Sequence, residues 1–191
     1  MFVGHAAVAF AAKSRAPTVS LGSFIAAAYA LDLIWPVFLL IGAERVEIAP
    51  GAMAFTPLRF EDYPWSHSLL MSVVWGGVAY GAALVAGTAR PAALLLGAVV
   101  VSHWFLDLPM HEPDRPLWPG ASLELGFGLW NSIAGTFLVE GAVVAAGLGL
   151  YLKASRPRDR IGSLGLGALV LVLTAIWASG PWAPPPPNVR A

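Results

Sequence analysis

The sequence contains no cysteine, which excludes disulfide bonds and any metal site built on thiolate. Charge is scarce as well. Only 12% of the 191 residues are Asp, Glu, Lys or Arg, and the 11 basic and 11 acidic residues cancel. Without a net field of one sign, nothing draws the phosphate backbone of a nucleic acid, so no nucleic-acid partner is expected. Three catalytic signatures are also missing. There is no GxSxG elbow, no phosphate-binding GxxxxGK[ST] loop and no HExxH pair, so nucleophilic-serine, nucleotide and zincin chemistries have no anchor. Ser66, His67 and Ser68 are adjacent, but neighbouring residues on a helix point in different directions, and no serine–histidine dyad is expected from them.

What is abundant is apolar surface. The chain is 58% hydrophobic with a mean hydropathy of +0.71, a balance that suits lipid as the solvent. The N-terminal MFVGHAAVAFAAKSR carries its positive charges after a short apolar run, the reverse of a secretory signal, so the start reads as mature protein. A bilayer core needs roughly 20 mainly apolar residues at 1.5 Å each. Five stretches qualify: about Val19 to Ile41, Ser66 to Leu84, Ala92 to Pro109, Leu129 to Leu152 and Ile161 to Ser179. Met1 to Ala12 is apolar but, at roughly 18 Å, too short to span, and suits a half-helix packed on the bundle. The expected fold is all-α: a polytopic membrane helix bundle of about five transmembrane helices plus a short N-terminal half-helix. It forms one membrane-embedded domain over residues 1–180, and the proline-rich stretch 181–191 is expected to be a flexible tail. Gly77 with Gly81, and Gly162, Gly165 and Gly167, are expected to let helix backbones approach closely.

Seven of the basic residues (Lys13, Arg15, Arg90, Lys153, Arg156, Arg158 and Arg160) fall on one side of these spans and four (Arg45, Arg59, Arg115 and Arg190) on the other. The richer side is expected to be cytoplasmic. The long loops, 43–65 and 111–128, then face outward from a multi-pass protein of the cell inner (plasma) membrane.

Acids inside a bilayer are costly, about 2.5 to 3.5 kcal/mol each at the centre, and ask for a function. Asp32, Asp107 and Glu140 lie within the expected spans, and the four histidines are His5, His67, His103 and His111. Measured down from the outer ends, Asp32 lies at roughly 14 Å, His103 at roughly 10 Å, Asp107 at about 4 Å and Glu140 at about 16 Å, with His67 at the mouth. His5 stands roughly 12 Å above the inner surface. In SHWFLDLPMH, His103, Asp107 and His111 follow i, i+4, i+8 along one helical stripe, which Pro109 is expected to kink or end before His111. Imidazole and carboxylate four residues apart bring two ligands to one cation, and nitrogen with oxygen but no sulfur suits zinc, manganese or iron. The metal-ligand candidates are His5, Asp32, His67, His103, Asp107 and His111. Five of the six have a plainer alternative: an internal His103–Asp107 hydrogen bond, an interfacial helix-capping His67 beside Tyr63 and Trp65, an Asp32 paired with Arg45 or facing a water-filled cleft, a solvated His111. Glu140 or Asp32 is the candidate catalytic proton acceptor, Glu140 alternatively accepting a histidine N–H.

The ordered series of His5 in MFVGHAAVAF, Asp32 in ALDLIWP, His67 in PWSHSLL and then HWFLDLPMH resembles the bacterial membrane-bound metal-dependent hydrolase family, a domain of unknown function, over roughly residues 1 to 132. HEPDRPLWPG followed by LGFGLWNS looks like one of its subgroups. That family is similar to zinc-dependent phospholipase C and P1-type nucleases. The resemblance implies that Asp32, His67, His103 and Asp107 hold one metal and that His5 shares Asp107 with a second. Those soluble enzymes add an N-terminal tryptophan and a histidine, histidine, glutamate trio. Here Met1 stands first and His111 and Glu140 are what remains, so a complete trinuclear cluster is not expected. A metal site that opens near the outer leaflet suits a phosphoester or lipid-like substrate, so the expected activity is hydrolysis of one near the outer face, with membrane lipid as a partner and Asn131 and Ser132 at the mouth of the fourth helix to orient the substrate. An ion or metal transporter, a noncatalytic scaffold with a structural metal, and assembly as a homo-oligomer all stay open.

Overall fold

The computed structural model describes residues 1–157 and 159–188. Arg158, counted in the charge balance, and tail residues 189–191, Arg190 among them, lie outside the described residues. The remainder is mostly helical: α1 (Val3–Arg15), α2 (Leu21–Ala28), α3 (Ala30–Leu40), α4 (Pro64–His67), α5 (Leu69–Val85), α6 (Arg90–Asp107), α7 (Ile133–Ala154) and α8 (Arg160–Ser179). The expected outer loops each fold into a small antiparallel hairpin, β1 (Arg45–Ile48) with β2 (Leu58–Asp62), and β3 (Arg115–Pro116) with β4 (Glu124–Leu125). Side-chain oxygens start several helices by accepting an otherwise unpaired amide. Ser20, Ser68, Ser132 and Asp159 do so for α2, α5, α7 and α8, and proline opens α4 and α6 where a missing N–H costs nothing.

The short α1 is the centre of the bundle. It packs on α7, α2 and α6, burying Val3, His5, Ala6 and Phe10 among others. The approach of α7 is so close that a Cβ at Gly147 would stand 2.3 Å from the Ala7 carbonyl oxygen. α5 and α6 meet in the same way: a Cβ at Gly97 would lie 2.7 Å from the Gly76 carbonyl oxygen. These are not the glycines picked out by spacing. Gly77, Gly81, Gly165 and Gly167 meet nothing within 4 Å, and Gly162 meets only Asp159 and Pro157 beside its own helix start. One residue along a helix is a rotation of about 100°, enough to turn Gly77 away from the contact that Gly76 makes. Gly97→Val should therefore lower stability by about 1–3 kcal/mol through overpacking, while Gly77→Val changes it by less than about 0.5 kcal/mol. Thermal unfolding of the two variants in one detergent checks this.

The expectation of five spans is corrected. Among the described residues, two helices are long and apolar enough to cross a membrane, α7 and the run from α8 to Trp182, or three if the bent pair α2 and α3 counts as one span. The bend, 48° at Tyr29, breaks the first expected span in two. α5 is apolar but has 17 residues, short of the roughly 20 a span needs. α6 begins at Arg90 and ends at Asp107, with His103 in its last turn, so its composition serves the interior of the bundle. Apolar side chains nonetheless cover much of the outside, including Leu33, Val37, Val78, Leu94, Leu138 and Leu171, and α8 buries none of its residues. Such an exterior suggests association with a membrane. At its far end Gly180–Trp182 forms a 3-10 turn whose Trp182 ring lies 6.1 Å from that of Phe137.

Candidate metal centre

His103 and Asp107 occupy the last turn of α6, on the face that meets α1 and α2, and both are buried. The bend between α2 and α3 places the Ala28 carbonyl where His103 Nδ1 donates to it at 2.8 Å. That bond makes Nδ1 the donor and turns Nε2 inward, where the neutral imidazole carries its lone pair. Opposite it stand Asp107 Oδ2 at 3.2 Å and Asp32 Oδ1, from the first turn of α3, at 3.5 Å. His103 Nε2 has no hydrogen-bond partner.

His67 ends α4 and turns its Nε2 to Asp32 Oδ1 at 3.4 Å. His5, in the first turns of α1, stacks its ring on that of His103 with 3.7 Å between centroids, and its Nε2 lies 3.1 Å from Asp107 Oδ1. Five residues from four elements thus converge: His5, Asp32, His67, His103 and Asp107. They form two groups of three, His5 with His103 and Asp107, and Asp32 with His67 and His103, whose donor atoms lie within 4.8 Å of one another in each group. A buried His/Asp cluster of this kind could hold a metal ion. Two ligands each about 2.1 Å from a tetrahedral ion stand about 3.4 Å apart, and the separations of 3.2, 3.4 and 3.5 Å around His67, His103, Asp32 and Asp107 suit that geometry.

Burial is uneven. His5, His67, His103 and Asp107 are buried, whereas the Asp32 side chain is 41% exposed. The cluster is open on the Asp32 side alone of these five. Arg45, offered by the sequence as a partner for Asp32, reaches Asp62 instead, at 3.6 Å.

The other two candidates sit apart from these groups. His111 follows α6 in a turn, as the proline predicts, with its Nε2 3.9 Å from Asp107 Oδ2 and its Nδ1 3.1 Å from Asp114. The Tyr63 hydroxyl donates to the same Asp114 oxygen at 2.6 Å. Burial lowers the pKa of His111 below 6.5, against the Asp114 carboxylate, which raises it. Burial likewise pushes the Tyr63 phenol well above its usual value. With His111 neutral in the fold and protonated when unfolded, the metal-free protein should lose stability as the pH falls from 6.5 toward the lowered value. His111→Asn should flatten that part of a pH series of unfolding midpoints. Glu140, fully buried on α7, accepts the amides of Phe2 at 2.9 Å and Gly4 at 3.3 Å with Oε2. It holds the start of α1 in place and so sets the position of His5.

Several contributors were not anticipated. Arg115, wholly buried, donates to Asp107 Oδ2 at 2.8 Å and to the His67 carbonyl at 3.3 Å. The amino group of Met1 also contacts Asp107 Oδ1. Glu44, 2% exposed, accepts the Ser66 amide and hydroxyl, each at 2.7 Å, and Ser66 Oγ lies 2.6 Å from His67 Nδ1. The expected independence of Ser66 and His67 is therefore overturned: α4 is a single turn ending at His67, and both side chains fold back into the same buried network. Burial raises the Glu44 pKa, against the hydrogen bonds from Ser66, which lower it. No spacing in the sequence signals that Glu44 or Arg115 returns from an acidic loop to the cluster. The chain matches no protein-family model, no curated protein and no solved structure.

Proposed function

We propose that this protein is a membrane-embedded, divalent-metal-dependent hydrolase that acts on a phosphoester or lipid-like substrate at the open, Asp32 side of the cluster. The observation that carries the reading is His103 Nε2. Its Nδ1 donates to the Ala28 carbonyl, so in the neutral imidazole the Nε2 lone pair faces two carboxylate oxygens, and Nε2 has no hydrogen bond to either. Lone pairs facing one another in a buried site repel unless a cation lies between them. His67, His103, Asp32 and Asp107 would hold the ion, with zinc, manganese and iron all suited to the donors. A single imidazole nitrogen serves one ion, so His5 and Asp107 Oδ1 stand beside this site as the place for a second.

A divalent ion held by these residues would supply acidity to a bound water and polarisation of a phosphoryl oxygen. The residues do the rest. Asp32 would hold the ion through Oδ1, the oxygen that faces His67 and His103, which leaves Oδ2 on the open side to take the proton of an attacking water, whereas Glu140 is occupied by the amides of Phe2 and Gly4. The ordered series of His5, Asp32, His67 and HWFLDLPMH, which resembles the membrane-bound metal-dependent hydrolases, supports the same chemistry. The apolar exterior supports membrane lipid as the surroundings, and the excess of basic residues expected on the opposite side supports a site that faces outward.

The test is hydrolysis of short-chain phosphodiester and phospholipid substrates by purified protein in nanodiscs, with and without added zinc or manganese. Metal-dependent turnover that Asp32→Asn reduces by roughly 100-fold or more is expected. Metal-loaded protein without turnover on any of these substrates speaks against the hydrolase. One observation favours a second reading, metal transport: the bend between α2 and α3 lies beside Asp32, and broken helices line ion sites in transporters. Metal flux into proteoliposomes at a rate set by Asp32 would support it.

A further inference from the structure

Glu44 and Ser66 are both buried, outside the set of donor atoms, and connected to it through a single hydrogen bond. Glu44 lies between α3 and β1, on a stretch held by its own amide donating to the Phe38 carbonyl at 3.2 Å. Its two carboxylate oxygens take the two protons that Ser66 offers, Oε1 the amide and Oε2 the hydroxyl, both at 2.7 Å. A serine hydroxyl has one proton. Spent on Glu44, that proton leaves Ser66 Oγ an acceptor toward His67 Nδ1 at 2.6 Å. The other acceptor near this hydroxyl, the Tyr63 carbonyl, is 3.5 Å away and poorly placed to compete.

We propose that Glu44 and Ser66 form a proton-ordering relay that locks His67 as the Nδ1–H tautomer and so presents its Nε2 lone pair to the metal. The inference rests on the metal reading given above and adds positioning residues to it. The physics is directional. A carboxylate accepts at both oxygens, so the chain runs His67 Nδ1–H to Ser66 Oγ, then Ser66 O–H to Glu44. An amide at position 44 reverses it: the carbonyl oxygen keeps the Ser66 amide, the NH2 donates to Ser66 Oγ, and the hydroxyl proton turns to His67 Nδ1. The imidazole then carries its proton on Nε2, where the cation should bind. A single N–H for O exchange of nearly equal volume thus closes one ligand without removing it.

The test uses full-length protein in detergent micelles. Its four histidines make the tautomers readable by 15N NMR with labelled histidine, and His67→Ala assigns the His67 signals. In metal-free wild type, His67 is expected as Nδ1–H, because the 2.6 Å bond to Ser66 Oγ outweighs the competing 3.4 Å hydrogen bond that Nε2–H would donate to Asp32 Oδ1. In Glu44→Gln it should move to Nε2–H, with zinc affinity weaker by roughly 10- to 100-fold, the range for outer partners of metal-bound histidines. Ser66→Ala should weaken zinc binding in the same range, while Ser66→Thr, which keeps the hydroxyl, should restore most of it. Should Glu44→Gln not fold, the serine pair decides. A wild-type His67 already protonated on Nε2, or a Glu44→Gln protein with unchanged tautomer and unchanged zinc affinity, overturns the relay. If wild type and His67→Ala bind zinc equally, it is the metal reading that fails, and the tautomer measurement still judges the relay.

Discussion

His103→Ala should purify without the divalent metal proposed for wild-type protein, and its apparent zinc affinity should fall by more than the 10- to 100-fold typical of losing a supporting hydrogen bond. His103 has this weight because its Nε2 is the one donor common to both groups of three. Asp107→Ala should be comparably severe for binding, and His111→Asn mild, since His111 stands 3.9 Å from Asp107 Oδ2 and belongs to neither group. The same loss should appear in stability. An ion at 1,000 times its dissociation constant stabilises a folded protein by about 4 kcal/mol. Chelation should therefore lower the unfolding temperature of wild type and leave that of His103→Ala unmoved. Inductively coupled plasma mass spectrometry and thermal scans with and without chelator measure the two effects. Equal metal content in wild type and His103→Ala would remove the site.

The second large effect concerns charge. Arg115 is wholly buried, and its guanidinium donates to Asp107 Oδ2 at 2.8 Å. The ring systems of Trp104 and Tyr63 flank it, with centroids at 5.8 and 6.0 Å. Removing one partner of such a pair strands the other in a medium that solvates it poorly. Asp107→Ala should cost about 3–5 kcal/mol in metal-free protein. Adding Arg115→Met removes the stranded charge and should recover most of that loss, while metal binding stays lost. A double-mutant cycle on chemical unfolding in metal-free detergent solution separates stability from ligation. Costs for the two single variants that simply add in the double would mean that Arg115 and Asp107 are not energetically paired.

The candidate ligands most legible in the sequence are those whose geometry is local. His103 and Asp107 are one helical turn apart, so their shared face follows from helix periodicity alone. His5, Asp32 and His67 were candidates because imidazole and carboxylate are rare in apolar segments, and the fold brings all three to the same cluster. Glu44 and Arg115 illustrate what was not legible. Both lie in loops rich in acids or prolines, where the ordinary place for a charge is water. Their burial depends on how the α3–β1 stretch and the turn after α6 fold back, which no periodicity encodes. The Ala28 carbonyl is illegible for a related reason, because it reaches His103 from the bend between α2 and α3. The span count went astray where hydropathy cannot separate lipid-facing from bundle-facing apolar residues. α6 is apolar over most of its length, yet Ala93, Val99, Val100 and Trp104 are buried within the protein. The glycine pattern failed by a single position, Gly76 against Gly77, since a spacing motif fixes a face only up to the rotation of the helix that carries it.

The proposed divalent cation lies between Asp32, His67, His103 and Asp107. Anomalous diffraction collected on either side of the zinc edge, from protein crystallised after zinc loading, tests it most directly. A peak is expected at about 2.0–2.2 Å from His67 Nε2, His103 Nε2 and one oxygen each of Asp32 and Asp107. Zinc-loaded crystals with no peak among these four residues, and His103 hydrogen-bonded to Asp32 and Asp107 in its place, would contradict it.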